Sequence, residues 1–302
     1  MKEIYTLADL RNWKKSARKP VRLGVFGHPV AHSLSPQMQN AALKACKIDM
    51  QYARFEIAPD ELRDAIQLIR EREFVGINLT LPHKVSALEL LDDVDANAKR
   101  IGAVNTIKIE NGKARGFNTD GKGFARAIRE EFVVDLRDLR VMVLGAGGAG
   151  RAIALQCAKE HCERLVIANR TFDKARALTN DLREFFTGPK VFGPVPRLHA
   201  IPSDESALRF QLSHVDLVVN ATPVGLNAND SSPIPARLLE PHLLIYDTVY
   251  AQDRQSPFVI AAHEAGARAA NGLSMLLHQG ALAFEIWFGR EAPLDVMRVA
   301  IR

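Results

Sequence analysis

Cysteine is scarce in this chain, with three residues among 302, at positions 46, 157 and 162. They have no metal-binding spacing and cannot all pair, which argues against a disulfide or zinc framework and for a reducing compartment. No cluster of His, Cys, Asp or Glu has ligand spacing, so no metal is expected. No apolar run approaches the ~20 residues that a membrane-spanning helix needs. Met1-Lys2-Glu3-Ile4-Tyr5 opens without the apolar core of a secretory leader. A cytoplasmic protein away from membranes is the expectation. Lys and Arg exceed Asp and Glu by 40 to 35. That excess is not gathered into a basic block or a basic–aromatic stripe, so nothing points to nucleic acid. It suits an anionic small ligand, or simply a solvated surface. Internal repeats and low-complexity tracts are also missing.

What is present is an ordinary globular composition, 47% hydrophobic and 25% charged. A length of 302 residues suggests two domains. The chain is organised around Arg140-Val141-Met142-Val143-Leu144-Gly145-Ala146-Gly147-Gly148-Ala149-Gly150. This reads as an apolar strand, a glycine turn and a helix start, the context in which G-x-G-x-x-G signifies dinucleotide binding. Gly145 allows the turn, Gly147 the approach of a pyrophosphate, and Gly150 close helix–strand packing. The next strand, Leu165 to Ala168, runs into Asn169-Arg170-Thr171. An acid here would hold the ribose diol of a cofactor without a 2′-phosphate. A neutral Asn and a cationic Arg suit NADP instead. Further strands are expected at Val215–Ala221 and Leu243–Val249, with Thr222 and Tyr250 beyond their ends. Residues 187–213 read as an irregular surface region.

The N-terminal half has its own signals. Residues 6–17 suit a short helix capped by Thr6. After a strand from Val21 to Gly27 comes His28-Pro29-Val30-Ala31-His32-Ser33-Leu34-Ser35-Pro36. Ser35 before Pro36 reads as a helix cap; Ser33 and Ser35 together can also bind a carboxylate. Strand Tyr52–Ile57 and helix Pro59–Arg72 follow. In Ile77-Asn78-Leu79-Thr80-Leu81-Pro82-His83-Lys84 the apolar residues alternate with Asn78 and Thr80, giving one apolar and one polar face. Lys84 falls in the first turn of a helix, where the dipole disfavours an ammonium ion and primes the group for proton transfer. His83 reads as a surface or supporting residue. A hairpin turning at Asn111-Gly112 brings Asn105 and Asp120 to its open end. Asp120 can cap the helix that follows, or pair with Lys84. Gly272 to Gly280 leads into a long helix ending near Gly289, and residues 293–301 form a last short helix.

With these motifs in order, the chain resembles the shikimate dehydrogenase family from Arg22 onward. The resemblance rests on Ser33-Leu34-Ser35-Pro36, Asn78 through Lys84, Ala103-Val104-Asn105-Thr106, Asn118-Thr119-Asp120-Gly121, the glycine loop, Asn169-Arg170-Thr171, Asn220-Ala221-Thr222-Pro223-Val224-Gly225 and Gly272 through Gly280. It implies an α/β protein with an N-terminal α/β substrate domain (1–120, completed by helices in 273–302), a Rossmann-like dinucleotide-binding domain (121–272) and a cleft between them. The implied reaction is NADPH-dependent reduction of 3-dehydroshikimate to shikimate in chorismate and aromatic amino-acid biosynthesis. Lys84 would be the acid/base, paired with Asp120. Ser33, Ser35, Asn78, Thr80, Asn105, Asp120, Tyr250 and Gln279 would bind or enclose substrate. The cofactor would be held by Gly145, Ala146, Gly147, Gly148, Ala149 and Gly150, by Asn169, Arg170, Thr171 and Lys174 at its 2′-phosphate, and by Thr222, Thr248, Gly272 and Met275. A monomer and a homodimer are both compatible. The nearest alternative is a quinate/shikimate dehydrogenase with broader substrate or NAD use, which the Asn169-Arg170-Thr171 group disfavours. A more remote one is a non-catalytic NADP-binding regulator, against which Lys84 and Asp120 argue. The first twenty residues exceed the family's usual start. Ala96 stands where an acid is common, and Thr248 where a bulkier apolar residue is common.

Overall fold

The computed structural model describes residues 2–13, 20–187, 196–227, 229–251 and 254–302. The chain divides into two compact units, one of Met1–Gly123 with Leu276–Arg302 and one of Phe124–Met275.

The first unit begins with β1 (Ile4–Thr6), α1 (Leu7–Arg11), β2 (Val21–Gly27), α2 (Ser35–Ala45), β3 (Gln51–Glu56), α3 (Leu62–Glu71), β4 (Gly76–Leu79), α4 (His83–Ser86), β5 (Asp93–Val94), α5 (Ala96–Ile101), β6 (Thr106–Glu110) and β7 (Lys113–Phe117). The sheet order is β1-β3-β2-β4-β6-β7-β5. Strands β1 to β4 run parallel, and β6 is antiparallel to both β4 and β7. Asn111 and Gly112 both have positive φ (51° and 72°), the geometry of a type I′ hairpin turn. This mixed topology has a functional consequence. The C-terminal ends of β2, β3 and β4, the start of β6 and the end of β7 all lie along one edge. The segments that follow or precede those ends therefore converge there.

The N-terminal segment departs from expectation. The helix is one short turn, and positions 14–17 of the expected helix lie outside the described residues. Ahead of it, β1 pairs with β3, Tyr5 opposite Phe55. Tyr5 and Trp13 pack their rings on Phe55, at centroid distances of 5.4 and 5.9 Å. The Asp9 carboxylate accepts both the backbone N–H and the hydroxyl of Thr6, fixing the turn from strand to helix. A three-residue strand carries too little periodicity to be read from sequence; its partner strand and these rings decide it.

Helix α6 (Asp120–Phe132) leads into the second unit. There follow β8 (Arg140–Leu144), α7 (Gly148–Lys159), β9 (Arg164–Ala168), α8 (Phe172–Leu182), β10 (Leu198–Ile201), α9 (Glu205–Leu212), β11 (Leu217–Asn220), β12 (Leu244–Asp247), α10 (Pro257–Glu264) and β13 (Arg268–Ala270). The six strands are all parallel, in the order β10-β9-β8-β11-β12-β13. This is a doubly wound sheet whose order reverses between β8 and β11, the place where such sheets bind ligands. Its central strands are buried on both faces, as helices cover both sides of a parallel sheet. Residues 187–213 are not irregular throughout: 198–201 form a paired edge strand and 205–212 a helix capped by Asp204, whose carboxylate accepts the Ala207 N–H. The prolines around them hid both elements.

Helices α11 (Leu273–Phe288) and α12 (Leu294–Val299) end the chain. Trp287 anchors α11 in the first unit. It is buried, donates Nε1–H to the Ile107 carbonyl at 2.9 Å, and lies so close to Gly76 that a Cβ there would sit 2.1 Å from Nε1. Among the described residues, no helix is long and apolar enough to cross a membrane.

Candidate functional site

The first unit gathers Lys84, Asp120 and Asn105 at the edge described above. Beyond β4, Thr80 donates its N–H to Phe26 O and its carbonyl accepts the His83 N–H, both at 2.9 Å. This turn starts α4 and presents Lys84. Its carbonyl takes the Val104 N–H at 2.7 Å, which ties the lysine to the strand carrying Asn105. Lys84 Nζ donates to Asp120 Oδ2 at 2.6 Å. The Asp120 side chain is 4% exposed and that of Lys84 17%, so the pair is withdrawn from bulk water with one face of the lysine still open. The helical turn around Lys84 spans four residues, too few for a dipole of consequence; the expected helix-end effect gives way to this ion pair.

Asp120 is the first residue of α6, and it does not cap that helix. Asn118 does so, its Oδ1 accepting the Asp120 N–H at 3.0 Å. Asp120 is thus free to spend both carboxylate oxygens, Oδ2 on Lys84 and Oδ1 on Asn105 Nδ2 at 2.8 Å. Asn105 is buried and also touches Thr119 Oγ1 at 2.8 Å and Gln279 Oε1 at 3.3 Å, while its own Oδ1 accepts the Thr119 N–H at 2.9 Å. Gln279 joins from α11, whose backbone passes so near α6 that a Cβ on Gly123 would meet it at 2.8 Å.

Asn78 stands differently from expectation. Strand β4 is buried on both faces. The Asn78 carboxamide accepts from Tyr52 Oη at 2.8 Å and donates to Asn105 O and Thr106 Oγ1 at 3.2 and 3.0 Å. With its polar atoms so engaged, Asn78 braces the Asn105 backbone from within the sheet. Leu81, assigned to the apolar face, is half exposed. His83 is fully buried, not at the surface: its Nε2–H donates to Ile57 O at 2.8 Å, and burial pushes the ring below its ordinary pKa. Thr80 is half-buried, and its methyl packs where a Cβ on Gly27 would come within 2.4 Å.

Ser35 is the first residue of α2 and Leu34 its cap, so Ser35 is not the expected cap. The capping role falls to Ser33, whose Oγ accepts the Ser35 N–H at 3.3 Å. Both hydroxyls stand at the helix start, Ser33 half-buried and Ser35 buried. An anion there meets two hydroxyls and unsatisfied N–H groups.

The second unit carries the dinucleotide residues on the C-terminal edge of its sheet. Gly145 has φ of +107°, and a Cβ on Gly150 would lie 2.1 Å from the Gly145 carbonyl; neither position admits a side chain. A Cβ on Gly147 would meet nothing within 4 Å. That open space faces the start of the twelve-residue helix α7, as a pyrophosphate cradle requires. Ala146 and Ala149 complete the loop with Gly148, and the Ala146 N–H is held by Asn169 Oδ1 at 3.1 Å. Asn169 Nδ2 donates to Thr171 O at 2.8 Å. Asn169 therefore shapes the loop. Arg170, Thr171 and Lys174 are exposed, and neither cation is paired with an acid among the described residues. Two free cations beside this loop suit a 2′-phosphate.

Thr222 and Thr248 follow β11 and β12. Thr222 Oγ1 donates to Asn220 Oδ1 at 2.6 Å, and Asn220 Nδ2 donates to Asp247 Oδ1 at 2.8 Å. Fully buried Asp247 also accepts from Val249 N–H at 3.0 Å and Ser256 Oγ at 2.5 Å, and burial raises its pKa. This network fixes both loops. Gly272 packs on Thr248, where a Cβ would meet its carbonyl at 2.2 Å. The Met275 N–H donates to Tyr246 Oη at 3.0 Å. Half-buried Tyr250 belongs to this second unit, with the dinucleotide residues. The supporting residues Tyr52, Arg54 and Asp247 were not singled out by sequence. The polar alternation Tyr52, Arg54, Glu56 in an otherwise apolar strand was the available signal.

Comparison with known proteins follows this division. Residues 25–107 match the family model of the shikimate dehydrogenase substrate binding domain, residues 127–189 that of shikimate / quinate 5-dehydrogenase, and residues 272–302 that of the shikimate 5′-dehydrogenase C-terminal domain. The chain is 43% identical over 281 residues to the shikimate dehydrogenase (NADP(+)) of Methanopyrus kandleri, covering 92% of this chain and 94% of that one. It is 43% identical to the enzyme of that name from Symbiobacterium thermophilum, covering 95% and 96%. Among solved structures it is similar to shikimate 5-dehydrogenase from Thermus thermophilus, in complex with NADP(H) and shikimate, with a TM-score of 0.81, 38% identity and coverage of 93% and 98%. On this evidence the chain belongs to the shikimate dehydrogenase family.

Proposed function

We propose that this protein catalyses the reversible NADPH-dependent reduction of 3-dehydroshikimate to shikimate, with Lys84 as proton donor and acceptor. The observation that carries the reading is the withdrawn pair of Lys84 and Asp120, with Asn105 behind it. When bound, NADPH supplies the hydride that adds to the substrate carbonyl carbon. Lys84 Nζ gives the carbonyl oxygen its proton as that oxygen becomes a hydroxyl, and takes it back in the reverse direction. Asp120 holds Nζ in place throughout, and the lysine regains its proton from water at its open face. Ser33 and Ser35 receive the substrate carboxylate; Thr80, Asn105, Asp120 and Gln279 meet or enclose its hydroxyls. In this reading the first unit carries the substrate chemistry and the second the dinucleotide, pyrophosphate on the glycine loop and 2′-phosphate on Arg170, Thr171 and Lys174. Buried, unpaired Cys157 and Cys162 support a reducing, cytoplasmic setting.

The test is NADP+ reduction by the purified protein. Shikimate with NADP+ should be turned over faster than shikimate with NAD+ and faster than quinate, and Arg170→Ala should narrow the cofactor preference. Faster turnover of quinate, or a preference for NAD+, overturns the reading.

A further inference from the structure

Strand β3 divides its side chains cleanly. Ala53, Phe55 and Ile57 enter the apolar core. On the other face, Tyr52, Arg54 and Glu56 each hold a segment of the site. Tyr52 Oη bonds Asn78, which bonds the Asn105 carbonyl. Glu56 Oε2 accepts the Val30 N–H at 3.0 Å, and its Oε1 meets His28 Nδ1 at 2.8 Å. Arg54 stands between them. Its Nε and Nη2 both donate to the Ser33 carbonyl, at 3.0 and 2.7 Å, and Nη2 also donates to Gln37 Oε1 at 3.1 Å. One oxygen gripped by two prongs of a rigid fork fixes the peptide plane after Ser33. That plane aims the Ser33 side chain, whose Oγ accepts the Ser35 N–H.

The charge balance gives Arg54 a second part. In the proposed reaction a substrate carboxylate leaves water for two neutral hydroxyls, which is costly without a countercharge. Lys84 is already matched by Asp120, and the Glu56 carboxylate is turned to the Val30 N–H and His28 Nδ1, away from Arg54's partners Ser33 and Gln37. Arg54 forms no ion pair with an acid among the described residues. Its guanidinium lies directly behind the Ser33 carbonyl. Resting on the proposed reading of the serine pair, we infer that Arg54 is a positioning residue: through Ser33 it sets the two hydroxyls and supplies the positive field that selects an anionic substrate over a neutral one.

The test compares shikimate with its uncharged methyl ester, by calorimetric binding and by steady-state kinetics at saturating NADP+, in wild type, Arg54→Met and Arg54→Lys. For Arg54→Met we expect shikimate affinity to fall about 10- to 100-fold, the range of one charge-assisted interaction. KM should rise in parallel, with kcat and the KM for NADP+ held within about threefold, and ester binding, which shares the serine hydroxyls and lacks the charge, should fall by a clearly smaller factor than acid binding. Arg54→Lys, which keeps the charge and loses the fork, should recover part of the loss. Equal losses for acid and ester, or wild-type affinity for shikimate in Arg54→Met, overturn the inference. If Arg54→Met fails to fold, Arg54→Gln, which keeps a donor to the Ser33 carbonyl and loses the charge, still decides: acid and ester weakened alike speak against the charge. A wild type that binds shikimate but reduces no NADP+ overturns the proposed activity and leaves the Arg54 inference to the binding data. A wild type that does not bind shikimate overturns both.

Discussion

Replacing Asp120 by asparagine removes almost no volume and yet should cripple the site. The carboxylate accepts twice, from Lys84 Nζ at 2.6 Å and from Asn105 Nδ2 at 2.8 Å. An amide has one oxygen and one NH2 group. If its oxygen turns to Lys84, its NH2 faces the NH2 of Asn105; if it turns to Asn105, its NH2 faces an ammonium. Either way one donor confronts another. Losing a hydrogen bond to a charged group costs about 1.5–3 kcal/mol, and a buried donor without an acceptor costs about 1–3 kcal/mol more. The sum agrees with the ~3–5 kcal/mol lost when one partner leaves a buried ion pair. Water reaching the open face of Lys84 relieves part of it, leaving roughly 2–4 kcal/mol. Expressed wholly in the reacting complex, at about 1.36 kcal/mol per decade, this lowers kcat about 30- to 1000-fold. NADP+ affinity should be preserved, since the glycine loop belongs to the other unit. The assay is NADPH formation from shikimate, alongside NADP+ binding as evidence of an intact fold. An Asp120→Asn protein that binds NADP+ and keeps kcat within about threefold of wild type refutes this account of the pair.

Two further outcomes follow from single residues. Burial holds the His83 ring neutral, below its ordinary value of 6.5. As pH falls below that value the unfolded chain takes up a proton that the folded one resists, so stability present at neutral pH is lost on acidification, at no more than ~1.36 kcal/mol per pH unit. The urea midpoint should therefore drop between neutral and mildly acidic pH, and His83→Gln should flatten part of the slope, the remainder coming from half-buried His199, shifted the same way; an identical slope in the variant rules His83 out. Val133 ends α6 at φ +60° and is 83% exposed, a strained conformation for a β-branched residue. Relief of about 1–2 kcal/mol, less the ~0.5–1 kcal/mol entropic cost of glycine, predicts a net stabilisation of roughly 0.5–1 kcal/mol for Val133→Gly; a lowered denaturation midpoint contradicts it.

Much of the site was legible because its residues sit in strand-end motifs. Ser33, Thr80, Lys84, Asn105 and Asp120 are scattered over almost ninety positions, yet each adjoins the end of a strand, and the sheet's topology gathers those ends. The same holds for the glycine loop, Asn169, Thr222 and Thr248 in the second unit. Depth was harder to read. Alternation in β4 separated Asn78 from Ile77 but did not reveal that both faces are covered, nor that the Asn78 carboxamide is engaged by Tyr52, Asn105 and Thr106. For His83 the sequence left a surface and a supporting place open, and the structure buries it against Ile57 O. Short edge strands β1, β10 and β13 also escaped, because three or four residues hold little periodicity and their pairing partners decide them. Capping was displaced in both serine and aspartate motifs: Ser33 and Asn118, each two residues ahead, take the N–H groups of Ser35 and Asp120. That displacement leaves the Asp120 carboxylate free for Lys84.

The most direct measurement of the central claim is kcat for shikimate oxidation in Lys84→Met, compared with wild type, with shikimate and NADP+ binding measured on the same samples. General acid–base catalysis of this kind contributes about 100- to 10000-fold. The account predicts a loss of that size in kcat with binding of both ligands kept within about tenfold of wild type. A Lys84→Met enzyme that turns over shikimate at the wild-type rate would contradict it.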